Sequence, residues 1–231
     1  QPLHCWVAGL IYSRMKRPSG KPGSLHKQIA RFFKHELTLI LTGKTVGTRL
    51  MYPAESQGTG ASDASADERQ AIVGGWWSNE PNPDLSTVWW FSFRVLKARF
   101  PWAFDRKHPK RRIGALELLG TVVTLKLAAY MQPDSFVQTT VKQATDSQCN
   151  TYAVLKCYSR KMPTAAVQME LSATMMRTNS QLRLRHVPRE QNVWADALTN
   201  EKFQGFTPSL RWWPNFDDTF FYYLDKVLPA R

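Results

Sequence analysis

Four carboxylates stand where the sequence pattern changes: Asp63 in SDAS, Glu117 in ALELLG, Asp146 in TDSQ and Asp196 in NVWADALT. Asp63 falls at the end of an expected strand before a hairpin, and Glu117 lies on an expected helix. Asp146 sits where a β-branched strand breaks into a helix, and Asp196 in the first turn or so of a short final helix. Strand ends and early helix turns of an open α/β sheet gather along one edge, so acids far apart in sequence can converge there. Converging carboxylates repel one another unless a cation neutralises them, which points to hard divalent ions with oxygen ligands, Mg²⁺ or Mn²⁺. Two such ions, roughly 3.5–4 Å apart, activate a water and stabilise the leaving oxygen of a phosphodiester. Taken singly, an Asp at a strand-to-helix junction is more often a cap or turn residue than a ligand, and Glu117 reads equally as a solvated helix position. Their order and their flanks carry the weight.

The elements that must position these acids follow from periodicity. Gln70–Ser78 and Thr87–Val95 are β-branched and aromatic and are separated by an Asn/Pro/Asp-rich turn at Asn79–Asp84, the pattern of an antiparallel meander. Ile113, Leu116, Leu119, Val123 and Leu127 recur at three or four behind Pro109, the pattern of a helix. Phe136–Thr145 reads as a strand, Gln148–Lys161 and Ala165–Thr178 as helices split at Pro163, and Leu182–Val187 as a last strand stopped by Pro188. Asn192 is an expected N-cap for a helix through Leu198. The order β-β-β-α-β-α-α-β-α implies an α/β fold, with a meander on one side and crossovers to parallel strands on the other. The stretch before Asp63, SQGTGA, has few β-branched or apolar residues, so the first strand is expected to be weak.

The flanks of the four acids resemble the ribonuclease H domain of retroelement (retrotransposon) reverse transcriptases. The matching pieces are SDAS followed by GGWW, then IGALELLG, then TDSQCNTY, then RLRHVPREQNVWADALTN. The last lies close to the family's H-x-P-x-x-x-N-x-x-A-D-x-L ending, and the resemblance covers about residues 60–203. It implies a ribonuclease H-like mixed sheet, a three-stranded antiparallel meander plus parallel strands with flanking helices. It further implies that Asp63, Glu117, Asp146 and Asp196 hold two Mg²⁺ (or Mn²⁺) ions and that the substrate is the RNA strand of an RNA–DNA hybrid. Residues 1–57 resemble the segment that joins polymerase to ribonuclease H in such proteins, which implies a polymerase domain upstream in the full-length protein. Relatives often place a histidine in the loop before the final helix, where this chain has Pro188–Asn192 (PREQN). His186 precedes that loop and reads as a residue ending the strand.

Charge supports a polyanionic partner. The 231 residues carry 31 Lys and Arg against 18 Asp and Glu, a net of +13. Residues 1–57 hold nine of the bases and only Glu36 and Glu55, and within them His26–Leu41 has the spacing of a basic amphipathic helix. A second run, Arg94 to Arg112, holds eight bases against Asp105 and ends five residues before Glu117. Most such runs are solvated faces, but this one lies beside the proposed edge, where Arg106, Lys107, Lys110, Arg111 and Arg112 would contact phosphates without reading sequence. The pairs Trp76–Trp77, Trp89–Trp90 and Trp212–Trp213 offer stacking surfaces, although core packing is expected for one of each.

The expected division is a basic segment 1–57, a ribonuclease H-like domain 58–203 and an aromatic C-terminal extension 204–231 that either folds back as an extra packed element or buries against sequence upstream. Three cysteines, Cys5, Cys149 and Cys157, lack zinc-ligand spacing and read as reduced thiols. The apolar runs Cys5–Tyr12 and Leu37–Leu41 fall short of the roughly 20 residues of a membrane span. The opening Gln1 suggests a piece of a longer protein, and no secretory signal is expected. Two other classes share the motifs. One is an inactive nucleic-acid-binding remnant. The other is a transposase or integrase core, against which Asp196 argues because such cores usually end in Glu.

Overall fold

Four segments rich in alternating or β-branched residues and one of small residues pair into one mixed sheet in the computed structural model, which describes residues 54–105, 108–132, 139–156, 159, 161–178 and 180–228 and a few positions between 30 and 42. The strands are β1 (Ala54–Ala66), β2 (Ala71–Ser78), β3 (Trp89–Arg94), β4 (Thr139–Thr145) and β5 (Gln181–His186), in the order β3-β2-β1-β4-β5. β1, β2 and β3 form the antiparallel meander, and β4 and β5 run parallel to β1. The helices are α1 (Ile113–Met131), α2 (Gln148–Leu155), α3 (Thr164–Arg177), α4 (Val193–Thr199) and α5 (Leu224–Val227). The fold is the expected α/β arrangement, a mixed five-stranded sheet with flanking helices. The expected basic helix His26–Leu41 falls largely outside the described residues, though Ala30, Arg31, Lys34, Leu37, Thr38 and Leu41 are helical.

The first strand is the longest and lies at the centre of the sheet, not the weak element its composition suggested. The reason is Trp77 on β2, which is fully buried and lies across β1. A Cβ at Gly58 would stand 2.5 Å from the Trp77 ring, and one at Gly60 2.8 Å from it. The small residues are therefore a requirement of close approach rather than a sign of poor strand formation. β1 also shifts register against β4 between Glu55 and Thr59, a bulge that lengthens it relative to its partner. The expected domain edge after residue 57 falls inside this strand.

The main core lies between the sheet and α1. Val73, Trp77 and Phe91 from the strands meet Leu116, Leu119 and Val123 from α1 and Val167 and Met169 from α3. Leu118, Val122 and Leu125 are fully buried as well, so α1 is enclosed on almost every side, beyond the positions its spacing marked. By length and composition Pro109–Met131 matches a membrane span, an apolar stretch longer than the two runs weighed in the sequence; its burial within the fold accounts for that composition. A second cluster of Val88, Trp90, Leu198 and Phe206 covers the other face over β2 and β3. In the tryptophan pairs Trp77 and Trp90 are buried, Trp76 and Trp89 are half-buried, and Trp213 is exposed.

The C-terminal aromatic segment is part of this core. Phe221, Tyr223, Leu224 and Val227 join the main cluster, and Trp212 donates its backbone N–H to the Trp90 carbonyl at 2.7 Å. Its anchor is Glu170 on α3, whose fully buried carboxylate accepts from the backbone N–H of Tyr222 (3.1 Å), Tyr223 (2.8 Å) and Leu224 (3.2 Å) and pairs with Lys126 at 3.1 Å. Burial pushes the Lys126 ammonium below its ordinary range, against the opposing charge of Glu170.

Candidate active site

Parallel pairing sets the first contact of the site. β1 and β4 pair Gly60 with Gln143 and Ala61 with Ala144, a register that carries Asp63 level with Asp146 at the strand ends. Both side chains then share a face, because residues two apart on a strand point the same way. α1 packs on β1 and β2 and brings Glu117, in its second turn, to the same edge. One carboxylate oxygen from each of Asp63, Glu117 and Asp146 lies within 4.8 Å of the other two. Asp63 is buried, while Glu117 and Asp146 are half-buried.

Asp196 is not in that cluster. Its Oδ1 accepts from Arg189 Nη2 at 2.8 Å and its Oδ2 from Asn200 Nδ2 at 3.0 Å. Its charge still reaches the others, since it contributes to the rise in the Asp63 pKa. Arg189 comes from the turn Arg189–Gln191, the loop in which relatives of the resembled family often carry a histidine. His186 is exposed at the end of β5.

The electrostatics are those of crowded acids short of counter-charge. Burial, followed by the nearby Asp146 charge, raises the Asp63 carboxyl from 3.8 to about 7, against a backbone N–H from Ala64 that favours the anion. Burial also raises Glu117, with a hydrogen bond from Ser147 opposing and Asp146 adding to the rise. Asp146 Oδ1 is buried without a hydrogen-bond partner. Three converging carboxylates, one with an orphaned buried oxygen, are the donor set of a hard cation, so these residues fit Mg²⁺ or Mn²⁺.

Supporting groups that the motifs did not announce surround the acids. Asn150 on α2, 3% exposed, donates to Glu117 Oε2 (3.2 Å) and to the Gly114 carbonyl (3.0 Å), tying the acid to the start of its own helix. It stands one turn before buried Val154, and that spacing is the signal that it lies on a buried stripe. The Thr199 hydroxyl lies 3.3 Å from Asp63 Oδ2 and 3.0 Å from the Asp196 carbonyl. Asn192 stands at the N-cap of α4 but makes no side-chain cap bond; its Nδ2 reaches the Ser62 carbonyl at 3.3 Å and ties α4 to β1 beside Asp63.

The basic run divides by partner. Arg94 pairs with Glu201, Arg99 with Asp225 and the Phe216 carbonyl, and Arg112 with both oxygens of Asp105 (2.8 and 2.5 Å) and the Met162 carbonyl (3.0 Å). These three arginines brace loops, and the Arg112 side chain is only 12% exposed. Lys110 and Arg111 are exposed in the 3-10 turn Pro109–Arg112 that leads into α1. Arg106 and Lys107 lie outside the described residues.

No protein-family model matches this sequence, and no curated protein sequence matches it. Among solved structures, RNase H1 from the halophilic archaeon Halobacterium salinarum NRC-1 is similar at 16% identity with a TM-score of 0.46, over 64% of this chain and 97% of that one. LC11-RNase H1, isolated from compost by a metagenomic approach, is similar at 20% identity with a TM-score of 0.47, over 64% and 96%. The prototype foamy virus protease-reverse transcriptase is similar at 13% identity with a TM-score of 0.40, over 69% of this chain and 22% of that longer one.

Proposed function

We propose that the protein is a metal-dependent endonuclease that hydrolyses the RNA strand of RNA–DNA hybrids, as the nuclease portion of a retroelement reverse transcriptase with a polymerase domain upstream. The observation that carries this reading is the convergence of Asp63, Glu117 and Asp146 at one sheet edge. Each of these acids falls in one of the motifs that resemble the ribonuclease H domain, and Asp196 falls in the fourth. Asp63, Glu117 and Asp146 would hold Mg²⁺ or Mn²⁺, with Asp196 the fourth acid of a two-ion site. Bound ions would polarise water and neutralise the leaving oxygen of a phosphodiester. Asn150 holds Glu117 in place, and Thr199 and Asn192 hold the β1 end against α4. Exposed Lys110 and Arg111, at the start of the helix that carries Glu117, would hold backbone phosphates and so set which bond of the RNA meets the acids.

The pairing of Asp196 with Arg189 favours a second reading, a binding remnant without turnover, because a guanidinium there takes the place of a metal's charge. Cleavage of a hybrid labelled on the RNA strand, with Mg²⁺, Mn²⁺ or EDTA, separates the two. The nuclease reading expects metal-dependent products ending in 5′-phosphate and 3′-hydroxyl. Tight hybrid binding with no cleavage in either metal would leave only the remnant.

A further inference from the structure

The face of the sheet that carries Asp63 and Asp146 continues past them as a basic track. β4 and β5 pair Lys142 with Arg183 and Ala144 with Arg185, so Lys142, Arg183 and Arg185 share one face, with Asp146 two residues beyond Ala144 on the same side. Leu182 and Leu184, the alternate residues of β5, pack on the main core behind the sheet. α4 covers the neighbouring part of the open face by packing against β1, β2 and β3. Arg183 and Arg185 are exposed and Lys142 is half-buried. Between the track and α4 runs a groove of about 620 Å³ floored by Ala61 and Ala144 and edged by Arg185, Trp76 and Trp194. The two indoles meet edge to face with ring centroids 4.9 Å apart and are both half-buried, so part of each ring faces outward. Glu190 is an acid on its rim.

We propose that this track binds a single nucleic-acid strand, with its phosphates on Lys142, Arg183 and Arg185 and a base against Trp76 and Trp194. Successive cations on β5 repeat every two residues, about 6.6 Å, and an extended polyanion can follow them toward the carboxylate edge. Flat aromatic rings beside a line of cations form the surface that sequence-tolerant single-strand binding requires. The chain itself is a poor occupant: residues 1–57 carry nine bases against two acids, and a second copy brings a further +13. That the strand is the unpaired flank of a cleaved hybrid rests on the nuclease reading; the binding itself does not.

The test uses the full chain in EDTA with a fluorescein-labelled oligothymidylate. Replacing two exposed cations, Arg183→Ser with Arg185→Ser, should flatten the log–log salt dependence of affinity by about 1.4, two phosphates at ~0.7 each for single strands. Arg185→Lys should keep the wild-type slope, and 5-iodouracil in the oligonucleotide should photocross-link to Trp76 or Trp194. Cleavage of a blunt hybrid at saturation should survive the double serine change. The proposal is overturned by an unchanged slope in the double variant, by cross-links confined to exposed Trp213, or by a changed oligomeric state with unchanged strand binding, which would assign the face to a second copy. Single-strand binding that depends on Arg183 and Arg185 in a protein that cuts no hybrid would remove the nuclease reading and leave this one standing.

Discussion

Asp63 holds the clearest conflict between stability and chemistry. Its carboxyl titrates near 3.8 in an unfolded chain and near 7 in the fold, because burial and Asp146 disfavour the anion. Below the unfolded value both states are protonated and nothing is lost. As pH rises toward 7 the folded form keeps a proton that the unfolded form has released, so stability falls across that window, by at most roughly 4 kcal/mol at ~1.36 kcal/mol per unit. In EDTA the melting temperature should therefore fall from about pH 4 to about pH 7, and Asp63→Asn should flatten that fall. Mg²⁺, which competes with the same proton, should raise the melting temperature more at the higher pH; an equal rise at both would separate metal binding from Asp63. For turnover, Asp146→Asn and Glu117→Gln should each lower cleavage by orders of magnitude with the fold intact, and normal rates in either would unseat the site. Asn150→Ala frees Glu117 and should cost about 10–100-fold, recovered in part at high Mg²⁺, the signature of a positioning residue. The four acids stood out in the sequence through their order and their flanking residues, with Asp63 and Asp146 also marked by strand ends. The turn of Asp196 toward Arg189 did not, since a side chain's rotamer depends on a loop seven residues away in sequence.

Elements whose side chains alternate announced themselves: the meander of β2 and β3, the helix behind Pro109 and the break at Pro163 all stand where the spacing placed them. β1 was illegible for a physical reason, because its small residues answer to Trp77 on another strand rather than to any local propensity. Gly60→Val, a β-former by propensity, should therefore destabilise the protein by several kcal/mol, since overpacking against Trp77 and the Trp76 carbonyl outweighs any gain; a stabilised variant in urea titration would refute that account. α1 hid its burial because a helix apolar all round shows a moment too small to assign a face. The role of Glu170 was equally hidden, since the sequence marked its segment only as a helix and its partners come from residues 222–224. Glu170→Ala removes the counter-charge of Lys126 and the carboxylate acceptor of three N–H groups of the C-terminal segment, and should cost about 3–5 kcal/mol, with protease cleavage beginning in residues 204–231. Retained protease resistance would show that the aromatic contacts alone hold that segment.

The molecule as a whole is a +13 polycation in which Asp63, Glu117 and Asp146 converge at one edge, and on the proposed reading its net charge would draw a duplex in over a distance set by salt. Sequence alone assigned the run before Glu117 to phosphate contacts as a block, and the fold divides it. Arg112 is closed against Asp105 and Met162, whereas Lys110 and Arg111 stand exposed where α1 begins. Replacing Lys110 and Arg111 with Ala should flatten the log–log salt dependence of hybrid affinity by up to about 1.8, at ~0.9 per phosphate for a duplex, and weaken all sequences alike. Arg112→Ala should leave the slope unchanged and lower the melting temperature instead, since it removes a loop brace that no phosphate reaches. Cleavage at saturating hybrid should survive the Lys110–Arg111 change, because on the proposed reading those contacts would position the duplex while the acids would act on the bond. A wild-type slope in that double variant, or a flattened one in Arg112→Ala, would mean that the duplex approaches the carboxylate edge from another side, with residues 1–57, which carry nine bases, the next surface to map.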